Sequence, residues 1–550
     1  MTPRANAAIE VDSKFDLAAQ GGIYGIQVAA DGFLKAFARH ARAGSLMVLA
    51  QESHLALARA ALAESGRDDL PLVPLARQDE LSRAGCLMRY DLPLATNAWF
   101  RRTLGERAYS LCGLTHSLSG SGVYRTLWEN LMAPLQPWDA LICTSRAAKA
   151  MLTRYFQGHA EYLAARGAPG LTWVAQLPVI PLGVALDSFP EPAAMAATRQ
   201  AFRAAWEIDA EDVAVLFVGR LNLTSKAHPF AMFAALEAAA RRNSRRLHFL
   251  MAGWFPAPAL RQSMATLAHD ICPSVRVAFI ERPDEERKRQ ALYGSDMFLS
   301  LSDNIQETFG LAPVEAMAAG LPTVVSDWDG YRDTVLDGLT GLTVPTVMAP
   351  PGLGEDFGER HGFGIDDYPR YLVHASQCTA VDIAKAAEAL ANLAGDAELR
   401  ARMGAAGRAR VRDHLDWRHV IATCQELWAE LAARRAGDAG LGLGAANPLH
   451  PDPFTLFQDF TSAVLDGDMR LRPASGDGRA ALRRALSSPL LALAAPHLAP
   501  RPTCEAVLAR LAAEGPLPAG RLLDMVPAEA RPRLHRTLAW LLKMDVLAVG

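Results

Sequence analysis

The stretch from Ser300 to Asp333, SLSDNIQETFGLAPVEAMAAGLPTVVSDWDGYRD, constrains the fold more than any other part of this chain. Residues 296–300 are an apolar run of strand length, and 322–326 are a β-branched run that reads as a buried strand. Between them, residues 311–319 are rich in helix formers, with Pro313 near the start and Gly320 just past the end. That order is the usual asymmetry of a helix. Glu307 lies in the loop before this helix, and Glu315 lies in its first turns. Between the two acids, Thr308 to Leu311 offer backbone N–H groups at a helix N-terminus, which suits an anion.

Two acids eight residues apart carry no meaning alone, since acids flanking a helix are commonly just solvated. The whole string is more specific. Glu307-TFGLAPV-Glu315 followed by AMAAGLPTVVS closely resembles the E-x7-E signature of the group 1 glycosyltransferases. These are retaining, nucleotide-sugar-dependent enzymes with the two-lobed GT-B fold. The resemblance implies an α/β chain of two doubly wound, Rossmann-like lobes with a cleft between them. The acceptor-side lobe is expected at 1–190 and the donor-side lobe at 191–435, its final helix folding back on the first lobe.

The bulk numbers agree with an enzyme of that kind. At 550 residues the chain has room for three or four domains. Half of it is apolar and the net charge is −3, so no global basic field argues for nucleic acid. Seven scattered cysteines form no C-x-x-C pair and no metal-ligand spacing, which suits reduced thiols in a cytoplasm. The first residues show no apolar signal core, and no run of 18 apolar residues could span a bilayer. The expectation is a cytoplasmic protein; peripheral contact with the inner face of the membrane stays open.

In the first lobe, Gly21 and Gly22 precede an apolar helical pattern at 28–39. Glycines at such a turn let backbone approach a ligand, or simply make a turn. The resemblance makes this the loop facing the donor diphosphate. Residues 45–50, 70–75, 109–114, 140–144 and 179–181 read as strands, and helical patterns between several of them argue for an open parallel sheet. His116 sits just past one of these strands. A lone histidine is more often structural, but the resemblance sets it near the donor sugar. Ser145 reads as a helix N-cap. Residues 180–189 resemble the segment that crosses to the second lobe.

The second lobe opens on 213–219, a continuous apolar strand and hence one buried on both faces. Arg220 and Lys226 follow it. Alone they read as a solvated pair; the resemblance puts both on the donor diphosphate. There, fixed cations would favour the transition state as the leaving diphosphate gains charge. Further strands and helices are expected at 247–252, 257–269, 275–280 and 284–293. Glu281 and Arg282 stand where many relatives carry glycine beside the nucleotide base. Asp327-Trp328-Asp329 looks like a D-x-D metal site, but it follows a buried strand, where the family has a structural loop. The expected chemistry therefore needs no metal and no cofactor beyond the donor. By analogy, Glu315 binds the ribose, while Glu307 and the N–H groups of Phe309, Gly310 and Leu311 contact the sugar.

Residues 345–379 are Gly- and Pro-rich and read as a long inserted loop, a lid or an acceptor contact. Helical patterns return at 381–412 and 417–434. Residues 436–452 form a linker, glycine-rich at its start. Residues 453–550 lie outside the family core and read as a small, mainly helical module whose ending faintly resembles a winged helix. Within it, 479–500 pairs arginines with Leu and Ala, a weak signal for a membrane surface. The expected partners are a nucleotide-sugar donor and a glycan, lipid or protein acceptor. Two rivals share the fold: a nucleotide-sugar 2-epimerase, and a non-catalytic binding protein. A dinucleotide oxidoreductase is a poorer reading, because no strand is followed by G-x-G-x-x-G.

Overall fold

Apolar runs of three to seven residues, separated by helices, build two parallel sheets of six strands each. The computed structural model describes residues 6–12, 25–41, 47–64, 66–67, 69–74, 77, 80–224, 226–442, 447–474 and 477–550. The first sheet contains β1 (Ala8–Val11), β2 (Met47–Ala50), β3 (Leu72–Pro74), β4 (Cys86–Arg89), β5 (Ser110–Leu114) and β6 (Ala140–Ile142), in the order β3-β2-β1-β4-β5-β6. The second contains β7 (Val213–Val218), β8 (Leu247–Gly253), β9 (Arg276–Glu281), β10 (Met297–Ser300), β11 (Thr323–Ser326) and β12 (Gly341–Val344), in the order β12-β11-β10-β7-β8-β9. Read from its other edge, the second order repeats the first. In each sheet the order reverses between the first and fourth strands, β1 with β4 and β7 with β10. A crevice opens at the carboxyl ends of such a pair, and that is where α/β sheets hold ligands. This is the α/β, two-lobed, doubly wound architecture expected of GT-B.

The lobes are joined by close packing. The helix Trp417–Gly437 lies in one apolar core with Ile9, Phe33 and Phe37 of the first lobe. Trp417 meets Phe33 edge-on at 5.9 Å, and Trp428 meets Phe37 at 6.0 Å. Gly183, in the segment that crosses between lobes, lies under Trp417; a Cβ there would sit 2.6 Å from the indole. Any side chain at 183 would push the helix off.

Two expectations are corrected. Residues 179–181 form no strand; Val179 makes only an isolated bridge to Cys143. Pro178 and Pro181 lack the N–H groups a ladder needs. Residues 345–379 are not a loop. They rise from an antiparallel ribbon, β13 (Thr346–Met348) with β14 (Thr379–Val381), and carry two helices, Glu355–Gly362 and Tyr368–Gln377. Buried Asp366 pins the hairpin between them through Arg360 at 2.6 Å, and Asp367 caps the second helix. The glycines that suggested a loop include Gly352 and Gly364, at φ +90° and +72° near the ends of the first helix. They are helix punctuation rather than disorder.

The chain divides into two compact units, Met1–Leu443 and Gly444–Gly550. The second has its own core, including Leu471, Val507, Leu511, Leu538 and Leu541. Its three short antiparallel strands, Leu517–Pro518, Arg470–Pro473 and Leu547–Val549, lie in that order beside the helices Gly478–Ser487, Arg501–Glu514 and Arg531–Lys543. Among the described residues, no helix is long and apolar enough to cross a membrane.

Candidate active site

The crevice between β7 and β10 is built by two loops laced to each other. After β7 the chain runs through Gly219 to Arg220; a Cβ on Gly253 would sit 1.8 Å from the Gly219 carbonyl oxygen, so β8 and this turn meet backbone to backbone. After β10, Asp303 accepts from the His228 N–H at 3.2 Å, and Asn304 Nδ2 donates to the Thr224 carbonyl at 2.9 Å. Burial pushes the Asp303 carboxyl up to about 7. The lacing brings the sequence-predicted residues together. Lys226 Nζ lies 2.6 Å from Glu307 Oε2, and an Arg220 guanidinium nitrogen donates to Gln306 Oε1 at 3.1 Å. The Lys226 side chain is 28% exposed and that of Glu307 11%, so the lysine keeps more contact with solvent than its partner, which is largely covered.

The turn that follows depends on two glycines. The helix Leu311–Ala318 starts at Gly310, whose φ is +83°. A Cβ on Gly310 would lie 2.0 Å from the Tyr331 ring, and one on Gly330 would lie 2.3 Å from the Phe309 Cα. Only glycine fits at either place. Phe309 is 2% exposed, so it offers its backbone rather than its ring. Within this helix, Glu315 Oε1 is 3.1 Å from Lys288 Nζ, on the helix Glu285–Gly294. Burial opposes the Lys288 charge, but Glu315 and Glu285 outweigh it and hold the ammonium above the usual lysine value.

The first lobe reaches the same turn from the ends of β5 and β6. Thr144 Oγ1 donates to the Thr308 carbonyl at 3.5 Å and lies 3.3 Å from Thr115 Oγ1. Ser145 caps its helix through the Ala148 N–H and donates to Asp329 Oδ1 at 3.1 Å. Burial, then the charge of Glu307, pushes the Asp329 carboxyl up to about 8. Asp327 pairs instead with Arg332 at 3.1 Å, so the two aspartates serve different neighbours. His116 Nε2 lies 2.8 Å from the Tyr90 carbonyl, which fixes the hydrogen on that nitrogen. The expected loop at Gly21 and Gly22 lies outside the described residues. Among the described residues, no three of His, Cys, Asp and Glu gather so as to hold a metal ion.

The sequence reading missed Gln306, Lys288, Asp303 and Asp329 as site residues. Gln306 and Asp303 flank Glu307 in the diagnostic string, so position alone was a signal. Lys288 gave none. Arg282, which stands where glycine was expected, sits at φ +46° and donates its N–H to the Gly253 carbonyl at 2.7 Å. The backbone there keeps the left-handed turn that glycine favours, although the residue is arginine.

Residues 198–350 match the model of the family described as Glycosyl transferases group 1. A D-inositol 3-phosphate glycosyltransferase of Xylanimonas cellulosilytica is 30% identical over 38% of this chain and 45% of its own length. A phosphatidyl-myo-inositol mannosyltransferase of Mycobacterium tuberculosis is 30% identical over 32% of this chain and 40% of its own. The chain thus spans less than half the length of these curated relatives. A glycosyltransferase of Rickettsia africae has a similar fold over 78% of this chain and 98% of its own, at 12% identity and a TM-score of 0.50. The stretch that matches the family model is the one that holds Arg220, Lys226, Glu307 and Glu315, so the likeness to the group 1 glycosyltransferases rests on this part of the second lobe.

Proposed function

We propose that the protein transfers a sugar from a nucleoside-diphosphate sugar to an acceptor, with retention of configuration and without a metal ion. The observation that carries this is the convergence of Arg220 and Lys226 with Glu307 and a glycine-opened helix N-terminus at the β7/β10 crevice. Counted over Arg220, Lys226 and Glu307, the crevice holds one more cation than acid. Asp329 and Asp303, with carboxyls raised to about 8 and about 7, add less negative charge near neutral pH than ordinary aspartates would. A diphosphate is the ligand such a surplus suits. As the bond from sugar to phosphate breaks, charge grows on the phosphate oxygen, and the two cations stabilise it where a divalent ion otherwise would. The acceptor oxygen bonds to the same face of the sugar, and its proton passes to the leaving phosphate. Glu315, neutralised by Lys288, would accept from the ribose hydroxyls; Glu307 and the N–H groups of Phe309–Leu311 would hold the sugar. His116 would contribute from the first lobe.

The test is product analysis with a panel of nucleotide sugars and with glycan, lipid and inositol-type acceptors, the last chosen because relatives bear such names. A new glycoside of retained configuration, formed after EDTA treatment, is expected. Conversion of the donor to an epimer with no acceptor present would replace transferase by epimerase. Abolition by EDTA with rescue by manganese would refute metal independence.

A further inference from the structure

The helical insertion between β13 and β14 belongs to the second lobe by connectivity, yet its contacts cross the cleft. Tyr368 Oη lies 2.8 Å from Ser119 Oγ, three residues past His116. The Tyr368 ring lies against Gly120, where a Cβ would be 3.7 Å away. His361 Nδ1 donates to the Asp366 carbonyl at 3.2 Å, so its Nε2 is left to accept the Ser121 N–H at 3.3 Å. That N–H belongs to the first turn of the helix Ser121–Met132, whose leading donors have no partner within the helix. His361 in turn stacks on Tyr371 at 4.8 Å and 7°. On its other side the Tyr368 hydroxyl comes near Gln306 and Arg220 of the second lobe. Gln306 is the residue that receives Arg220.

We propose that Tyr368 is a positioning residue for transfer: held by Ser119 and lying beside Gln306, it seats Arg220 when the insertion lies across the cleft. Tyr368 acts through Gln306 and touches neither sugar nor phosphate. The inference rests on the proposed role of Arg220 at the diphosphate. The insertion then works as a gate, which admits acceptor when open and completes the clamp when closed.

The experiment uses the full chain with Tyr368→Phe, Ser119→Ala and the double variant. Tyr368→Phe is expected to lower kcat by about 3- to 10-fold, the scale of one neutral hydrogen bond lost at the transition state, with KM for the donor little changed. Ser119→Ala should do the same, and the double variant should be no worse than either single one, because both break one chain of contacts. Hydrogen exchange at 219–226 should quicken in each variant, a readout that needs no activity and so separates this inference from the function proposed above. Unchanged exchange at 219–226 would overturn it. So would unaltered kcat, or effects that add and merely follow a fall in melting temperature.

Discussion

The two lobes share a strand order but use charge in opposite ways at the crevice where that order reverses. At the β1/β4 crevice, Arg89 lies between Glu10 and Asp91, with side chains 14%, 7% and 10% exposed. Burial pushes the Glu10 carboxyl up against the pull of Arg89. There the cation is taken up by its neighbours. At the β7/β10 crevice, Lys226 is 28% exposed and pairs with a single carboxylate, Glu307. The comparison teaches that a fold supplies the crevice, while the pairing and exposure of its charges set what that crevice can do.

Breaking one cation in each lobe sharpens the contrast. Arg89→Ala leaves two covered carboxylates without their cation, and should cost about 3–5 kcal/mol of unfolding free energy, read by denaturant titration. Lys226→Ala strands one covered carboxylate, Glu307, rather than two, so it should cost less stability than Arg89→Ala, yet lower turnover by about 10². If Lys226→Ala unfolds the protein while leaving turnover intact, the two crevices are alike and the contrast is lost.

A smaller effect separates charge that is present from charge that is withheld. Asp329 has its carboxyl raised to about 8, by burial first and Glu307 second. A raised acid binds its proton in the folded state while the unfolded chain releases it near 4. Stability should therefore fall as pH rises from about 4 to about 8 and then level off. Asp329→Asn cannot ionise, so its advantage over the wild type should grow across that range, as melting temperature against pH would show. A constant difference would mean that folding does not raise the Asp329 carboxyl.

Much of the second lobe was legible in the sequence because its strands are long and apolar. Val213–Val218 and Leu247–Gly253 read plainly, and the diagnostic string fixed the turn around Glu307. The first lobe hid two strands. Ala8–Val11 and Cys86–Arg89 have four residues each, and their buried charges, Glu10 and Arg89, look like surface positions in one sequence. Their partners are 79 residues apart, beyond any local pattern. The insertion misled for a related reason: its hairpin is set by Asp366 burying its charge against Arg360, and its register by contacts with Ser119 and Ser121 across the cleft. Lys288 carries no signature until the fold brings Glu315 to 3.1 Å from its ammonium.

The central claim, that the β7/β10 crevice holds a nucleoside diphosphate through Arg220 and Lys226, is tested most directly by thermal melting with a panel of nucleotide sugars. A ligand that binds only the folded state raises the melting temperature, by the equivalent of about 2.7 kcal/mol at a hundredfold excess over Kd. At least one nucleotide sugar should protect the wild-type chain, and the protection should vanish in an Arg220→Ala, Lys226→Ala double variant whose own melting temperature is close to that of the wild type. Protection that survives in that variant, or a panel in which no nucleotide sugar protects the wild type, would contradict the account.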